Sequence, residues 1–239
     1  MKSFLIIKTG CTLAELRSQK GDFEDWMIKG SGLGTDQVRV VNVEAGKTLP
    51  LYESVKGVLI TGSHAMVSDH LPWSESAAVW LAGAVQRQIP ILGICYGHQL
   101  LAHAMGGRVD YNPNGREYGT FEITLTLAAQ TDSLLSILPH SPALHVSHSQ
   151  TVLELPVGAV RLAFSQKDGN QAFCINQCAW GVQFHPEFDA QITQTYIHDN
   201  HKALKAEGQN PDQLLAGCHD TPFGSQILKR FISLVDSRD

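Results

Sequence analysis

Residues 90–99, Pro-Ile-Leu-Gly-Ile-Cys-Tyr-Gly-His-Gln, constrain the fold more than any other stretch. A short, wholly apolar run suits a strand buried on both faces, the situation of a parallel sheet under helices. It runs without a linker into Gly93-x-Cys95-x-Gly97 and then into a helical pattern over 96–105 that Gly106-Gly107 ends. A sharp strand-to-helix turn of this kind lifts one side chain out at the top of a sheet, and its glycines remove side chains that would clash. The lifted residue is a cysteine at a helix N-terminus, where the partial positive charge favours a thiolate. The N–H of Tyr96 is placed to donate to an oxyanion. A buried structural cysteine is the bland alternative.

The rest of the chain repeats the theme. Strands are expected at 3–8, 37–43, 57–61 and 90–94, with helices near 12–20, 74–88 and 96–105. Alternation of this kind predicts an α/β fold: a mostly parallel, doubly wound (flavodoxin-like) sheet with helices on both faces. The second half brings some antiparallel strands, at 120–127 and 160–165, and a hairpin of 171–177 with 179–184. Residues 189–239 are expected to be mainly helical, with a polar stretch at 206–212 and a closing amphipathic segment at 225–235 that covers the sheet. Gly30 to Gly34 reads as a turn, because no strand-linked Gly-x-Gly-x-x-Gly is present. With 239 residues, 43% hydrophobic and 17% charged, the economical reading is one domain over 1–239.

Composition narrows the function. A net charge of −5 argues against nucleic acid as a partner. No apolar run approaches the roughly 18 residues that span a bilayer, so no membrane role is expected. Residues 4–7 are too short an apolar run for a signal-peptide core. Five irregularly spaced cysteines imply no disulfide framework, and a cytoplasmic location is expected.

A cysteine nucleophile needs a base, and the base needs a group to orient it. Gln183-Phe184-His185-Pro186-Glu187 offers both. Pro186 favours extended backbone at His185, and in an extended segment residues i and i+2 share a side. Cys95, His185 and Glu187 thus form a candidate triad. A zinc deaminase reading of His-x-Glu fails, because no Pro-Cys-x-x-Cys follows. Cys174 and Cys178 have no paired His motif, and no metal or cofactor is expected.

The two motifs together resemble the class I, triad-type glutamine amidotransferase family, in its GMP-synthase-like branch. Gly93 to Gln99 and Gln183 to Glu187 match its two motifs in order and about 90 residues apart. Gly115-Arg116-Glu117-Tyr118-Gly119, Val146-Ser147-His148 and Thr221-Pro222-Phe223-Gly224 are also similar to segments of that branch. The resemblance implies that Cys95 attacks the side-chain amide of glutamine, forming a γ-glutamyl thioester. It implies that His185 shuttles the proton and that Glu187 holds His185. The N–H groups of Gly62 and Tyr96 would form the oxyanion hole. Gln99 would position the substrate, and backbone near Ser147 and His148 would bind its amino-acid end. His64 is expected to be a plain loop residue, and His103 to pack or face solvent. Arg116 and Glu117 are read either as structural ion-pair partners or as part of the glutamine pocket.

Thr61-Gly62-Ser63-His64 departs from the family's Gly-Gly-Pro loop, and Ser147-His148-Ser149-Gln150 departs from the Ser-His-Gly-Asp of GMP synthase. No Gly-rich phosphate loop appears, so the ammonia would go to a separate ATP-dependent synthetase subunit. An autonomous γ-glutamyl peptide hydrolase with the same triad is the alternative. A catalytically silent binding module on the same fold is a third.

Overall fold

The computed structural model describes residues 2–238, so Met1 and Asp239, the ends of the expected domain, lie outside the described residues. The elements run β1 (Ser3–Lys8), α1 (Ala14–Lys20), α2 (Phe23–Ser31), β2 (Val38–Asn42), β3 (Val55–Ile60), α3 (Pro72–Gln86), β4 (Ile91–Ile94) and α4 (Tyr96–Ala104). The middle holds β5 (Arg108–Tyr111), β6 (Glu117–Glu122), β7 (Thr124–Leu125), β8 (Ala143–His148), β9 (Gln150–Glu154), β10 (Val160–Phe164), β11 (Ala172–Ile175) and β12 (Ala179–Val182). The chain closes with α5 (Ala190–Asp199), α6 (His201–Ala206), α7 (Pro211–Gly217) and α8 (Phe223–Asp236).

An eight-stranded sheet forms the centre, in the order β2-β1-β3-β4-β12-β11-β10-β7. Pairing is parallel from β2 through β12 and antiparallel from β12 to β7. The inner strands, β1, β3, β4, β12 and β11, are buried on both faces, and their period-two alternation sorts the side chains. Leu5, Ile7, Val58, Ile60 and Ile91 pack under Leu81 and Val85 of α3 and Leu100 and Leu101 of α4. Phe4, Ile6, Leu59, Leu92 and Trp180 pack on the other face with Met27 of α2 and Ile227, Leu228 and Phe231 of α8. The closing helix therefore covers the sheet, as its amphipathic pattern predicts. The hairpin is made by a turn at Ile175 to Cys178 whose central residues, Asn176 and Gln177, both take positive φ (51° and 54°).

Two expectations need correction, and one element was unforeseen. Residues 120–127 are not one strand. Residues up to Glu122 pair with β8 in a separate ribbon, only β7 joins the main sheet, and a 3-10 turn begins at Leu127. A second ribbon, β5 with β9, went unanticipated. Gly30 lies inside α2, and the turn begins at Gly32, whose left-handed backbone (φ 79°) ends the helix. Cys174 and Cys178 lie in the cores on opposite faces of the sheet.

The C-terminal helices build a third cluster beside the strand ends. Phe188, Ile192, Tyr196, Ile197 and Leu204 pack there against Phe23, Trp26 and Tyr118. It occupies the carboxyl end of the parallel strands, where open α/β sheets present their binding crevices.

Candidate active site

Cys95 follows β4 directly and takes φ 53°, ψ −101°, a backbone that side chains rarely adopt. The turn is tight enough that a Cβ on Gly93 would collide with the Gly97 carbonyl, and one on Gly97 would lie 2.7 Å from the Ile60 carbonyl oxygen. Both glycines are needed for close approach. The Cys95 N–H donates to the Val182 carbonyl of the neighbouring strand (2.9 Å). Tyr96 opens α4, so its N–H has no intrahelical acceptor.

β12 lies beside β4 in parallel register, with Val182 opposite Ile94. The chain leaving β12 therefore delivers His185 to the edge where Cys95 stands. His185 and Cys95 line the same cleft, close enough for the sulfur to act on the imidazole's charge. Its Nδ1 donates to Glu187 Oε1 at 2.7 Å. The route differs from the expected extended strand: a turn at His185 to Phe188 folds Glu187 back beneath the imidazole. The His185 N–H donates to the His145 carbonyl (2.8 Å), and Cys95 Sγ lies 3.7 Å from the Ser147 carbonyl, so β8 braces both residues. Burial opposes protonation of His185. The carboxylate of Glu187 and the nearby Cys95 outweigh it, and the imidazole is held well above its ordinary range.

Aromatic residues from remote elements fix the imidazole. Phe188 stacks on it with ring centroids 3.9 Å apart, and Phe23 lies parallel at 6.4 Å. Phe23 is set by Asp22, the N-cap of α2, which accepts from the N–H groups of Phe23 and Thr12 and pairs with the buried Lys8. Gly224 has no side chain where α8 meets the Pro186 carbonyl, so the Thr221-Pro222-Phe223-Gly224 segment supports the turn that carries Glu187.

In front of the thiol lies a cleft of about 250 Å³, bordered by Cys95, Tyr96, Gln99, Ser147, His148 and His185. Gly62 touches the imidazole: a Cβ there would lie 3.3 Å from His185 Cε1. Thr9 anchors its loop, donating through Oγ1 to the carbonyls of Thr61 and Gly62. Ser63 and His64 continue the cleft wall. His64 is therefore more than a plain loop residue; it stacks on Tyr196 at 5.8 Å and burial lowers its pKa. Gln99 Nε2 donates to the Gln150 carbonyl (2.8 Å) and to Gln183 Oε1 (2.9 Å), which ties the helix to both walls.

The His148 ring turns away from the cleft. Its nitrogens meet the Gln150 carbonyl (2.9 Å) and Glu117 Oε2 (3.0 Å) in a buried network with Ser165 and Gln171. Burial opposes protonation there as well, but the Glu117 hydrogen bond and the Asp168 charge raise the His148 pKa. This leaves the strand backbone to face the cleft. Glu117 is accordingly an ion-pair partner, while Arg116 both borders the cleft and pairs with Glu207 (2.7 Å). The sequence reading missed the roles of Phe23, Phe188 and Tyr196. Phe188 stands just past the second motif, but nothing in the sequence tied Phe23 and Tyr196 to it.

A buried cysteine, imidazole and carboxylate in line, with a helix N-terminus beside the sulfur, are equipped for acyl transfer. The family model for glutamine amidotransferase class-I matches residues 26–203, and the chain belongs to that family. It is 38% identical over 134 residues to the GMP synthase [glutamine-hydrolyzing] of Porphyromonas gingivalis, a match covering 56% of this chain and 25% of that protein. With the Bacteroides fragilis enzyme of the same name it shares 36% over 137 residues, again 56% and 25%. The match thus spans about a quarter of the length of these relatives. Among solved structures, the fold is similar to a glutamine amido transferase from Methylobacillus flagellatus (TM-score 0.78, 23% identity, covering 98% of this chain and 95% of that one). It is also similar to a glutamine amidotransferase from Thermotoga maritima (TM-score 0.76, 20% identity, 98% of each chain). No helix among the described residues is long and apolar enough to cross a membrane.

Proposed function

We propose that this chain, acting as one amidotransferase domain, hydrolyses the side-chain amide of glutamine to glutamate and ammonia through a thioester on Cys95. The observation that carries this reading is that Cys95 and His185 line one small cleft, with His185 bonded from behind to Glu187 at 2.7 Å. His185 takes the thiol proton, and the thiolate attacks the amide carbon. The resulting oxyanion receives hydrogen bonds from the N–H groups of Gly62 and Tyr96. His185 returns its proton to the departing nitrogen, which leaves as ammonia. Water then gives a proton to His185, its hydroxide oxygen bonds to the thioester carbon, and the carbon–sulfur bond breaks. Glutamate leaves and the thiol is restored. Gln99 shapes the cleft, and backbone at Ser147 and His148 receives the amino-acid end of the substrate. The relatives are called glutamine-hydrolysing GMP synthases, which supports delivery of the ammonia to an ATP-dependent synthetase on a separate chain.

The test is glutamate release by the purified chain from glutamine and from a panel of γ-glutamyl peptides, alongside labelling by an electrophilic glutamine analogue. Cys95→Ala is expected to lose labelling and at least about 10⁴-fold in turnover. Full activity in that variant overturns the triad. Faster release from a γ-glutamyl peptide than from glutamine would replace the synthetase-linked reading with an autonomous hydrolase.

A further inference from the structure

On the far side of α4 from the sheet core, three side chains from three elements converge. Glu75 lies in the first turn of α3, His103 in the last turn of α4, and His70 at the end of the 3-10 turn Val67–Asp69. His70 Nδ1 is 3.0 Å from Glu75 Oε1. His103 Nε2 is 3.0 Å from the same oxygen and 3.2 Å from Oε2. All three ligand atoms lie within 4.8 Å of one another. The two imidazole centroids are 5.2 Å apart.

We propose that His70, Glu75 and His103 form a binding site for a divalent transition ion of the Zn²⁺ class, outside the cleft of Cys95. Two imidazoles and a carboxylate are a donor set that Zn²⁺ accepts, with bonds of about 2.0–2.2 Å. Tetrahedral ligand atoms at such bond lengths are about 3.3 Å apart, so the two nitrogen–carboxylate spacings of 3.0 Å need only a few tenths of an ångström of expansion, and the two nitrogens already lie within 4.8 Å of each other. The site is open to solvent: the side chains of His70 and Glu75 are 61% and 42% exposed, and that of His103 24%. An ion can enter, and water can complete its coordination. For binding, the ring nitrogen that faces Glu75 must be free of its hydrogen, either lost to solvent from an imidazolium or carried on the other ring nitrogen, so that each ring ligates as a neutral imidazole.

The other acid–histidine cluster, Glu117, His148 and Asp168, is fully buried, and the first two are already bonded to Gln150, Ser165 and Gln171. It serves as an internal ion pair and offers no path for an ion. The exposed cluster, by contrast, joins two helices at points that bear on the nucleophile turn. Ser74, next to Glu75, bonds the Tyr96 hydroxyl at 2.6 Å, and Tyr96 and His103 share α4. A bound ion would staple α3 to α4.

The experiment is calorimetric titration of Zn²⁺ into the Cys95→Ala chain, which removes the thiolate as a competing ligand. Cys95→Ala/His70→Ala and Cys95→Ala/His103→Ala are titrated in parallel, and Co²⁺ is added to each to read tetrahedral coordination from its visible absorption. We expect one equivalent of Zn²⁺, at least tenfold weaker binding in each double variant, loss of the Co²⁺ band in both, and a Zn²⁺-dependent rise in Tm only in the single variant. His70 is exposed, so its replacement leaves the core untouched. Absence of binding at about 100 μM Zn²⁺ overturns the proposal. So does binding that survives either histidine replacement. Neither result bears on glutamine hydrolysis, which does not use these residues.

Discussion

Cys95 carries a side chain on a backbone that glycine adopts more freely. The strain is held by neighbours that gave up side chains, Gly93 and Gly97. Glu187 meets His185 and not the cleft, so it orients the base and supports its charge. Glu187→Gln is therefore expected to lower turnover roughly 10–100-fold less than Cys95→Ala, since an altered orienter leaves nucleophile and oxyanion donors in place. Steady-state rates of the two variants on glutamine check this, and equal losses would assign Glu187 more than orientation. At this scale the proposed triad was legible because Cys95, His185 and Glu187 sit in two short motifs. Phe188 and Phe23, which clamp His185, were not. One is just past the motif and the other lies at the far end of the sequence, and only packing joins them.

At the scale of elements, strands buried on both faces could be read directly, because β1, β3 and β4 are continuous apolar runs with no competing helical period. The ribbons were harder. In β5 only Val109 is buried among Arg108, Asp110 and Tyr111, and such a pattern is silent in sequence. Glycine in a helix ordinarily costs about 0.5–1 kcal/mol relative to alanine, so Gly→Ala in an exposed helix stabilises. Gly97→Ala in α4 is expected to do the opposite, lowering stability by about 1–3 kcal/mol, because its methyl group would meet Ile60 at 2.7 Å. Urea unfolding gives the sign directly. A stabilised Gly97→Ala chain would show that α4 is not seated tightly against β3.

For the whole molecule, buried histidines make stability depend on pH with opposing signs. His145 is buried and pushed down to about 4, first by desolvation and then by the charge of His185. The unfolded chain takes up that proton near pH 6.5, so this term weakens the folded state as pH falls from about 6.5 toward 4. His148, raised by Glu117 and Asp168 against its burial, acts the other way. Its contribution is full below about pH 6.5 and is lost as pH rises through its folded value. His145→Gln removes the first term alone. The variant is expected to lose less stability than its parent between pH 7 and pH 5, measured as the shift in urea midpoint. A steeper loss in the variant would contradict a neutral, buried His145.

The contact between β4 and β12 sets an order of events in folding. Ile91 and Ala179 are partners across that boundary, yet 88 residues separate them along the chain. Pairings between such remote segments carry a large loop-closure cost and form slowly. The thiol and the imidazole approach each other only once this pairing is made, whereas α3, α4 and the β11–β12 hairpin rest on neighbours nearby in sequence. Recovered turnover would thus serve as a clock for the latest closure, lagging the return of helix signal when the denatured chain is diluted into buffer.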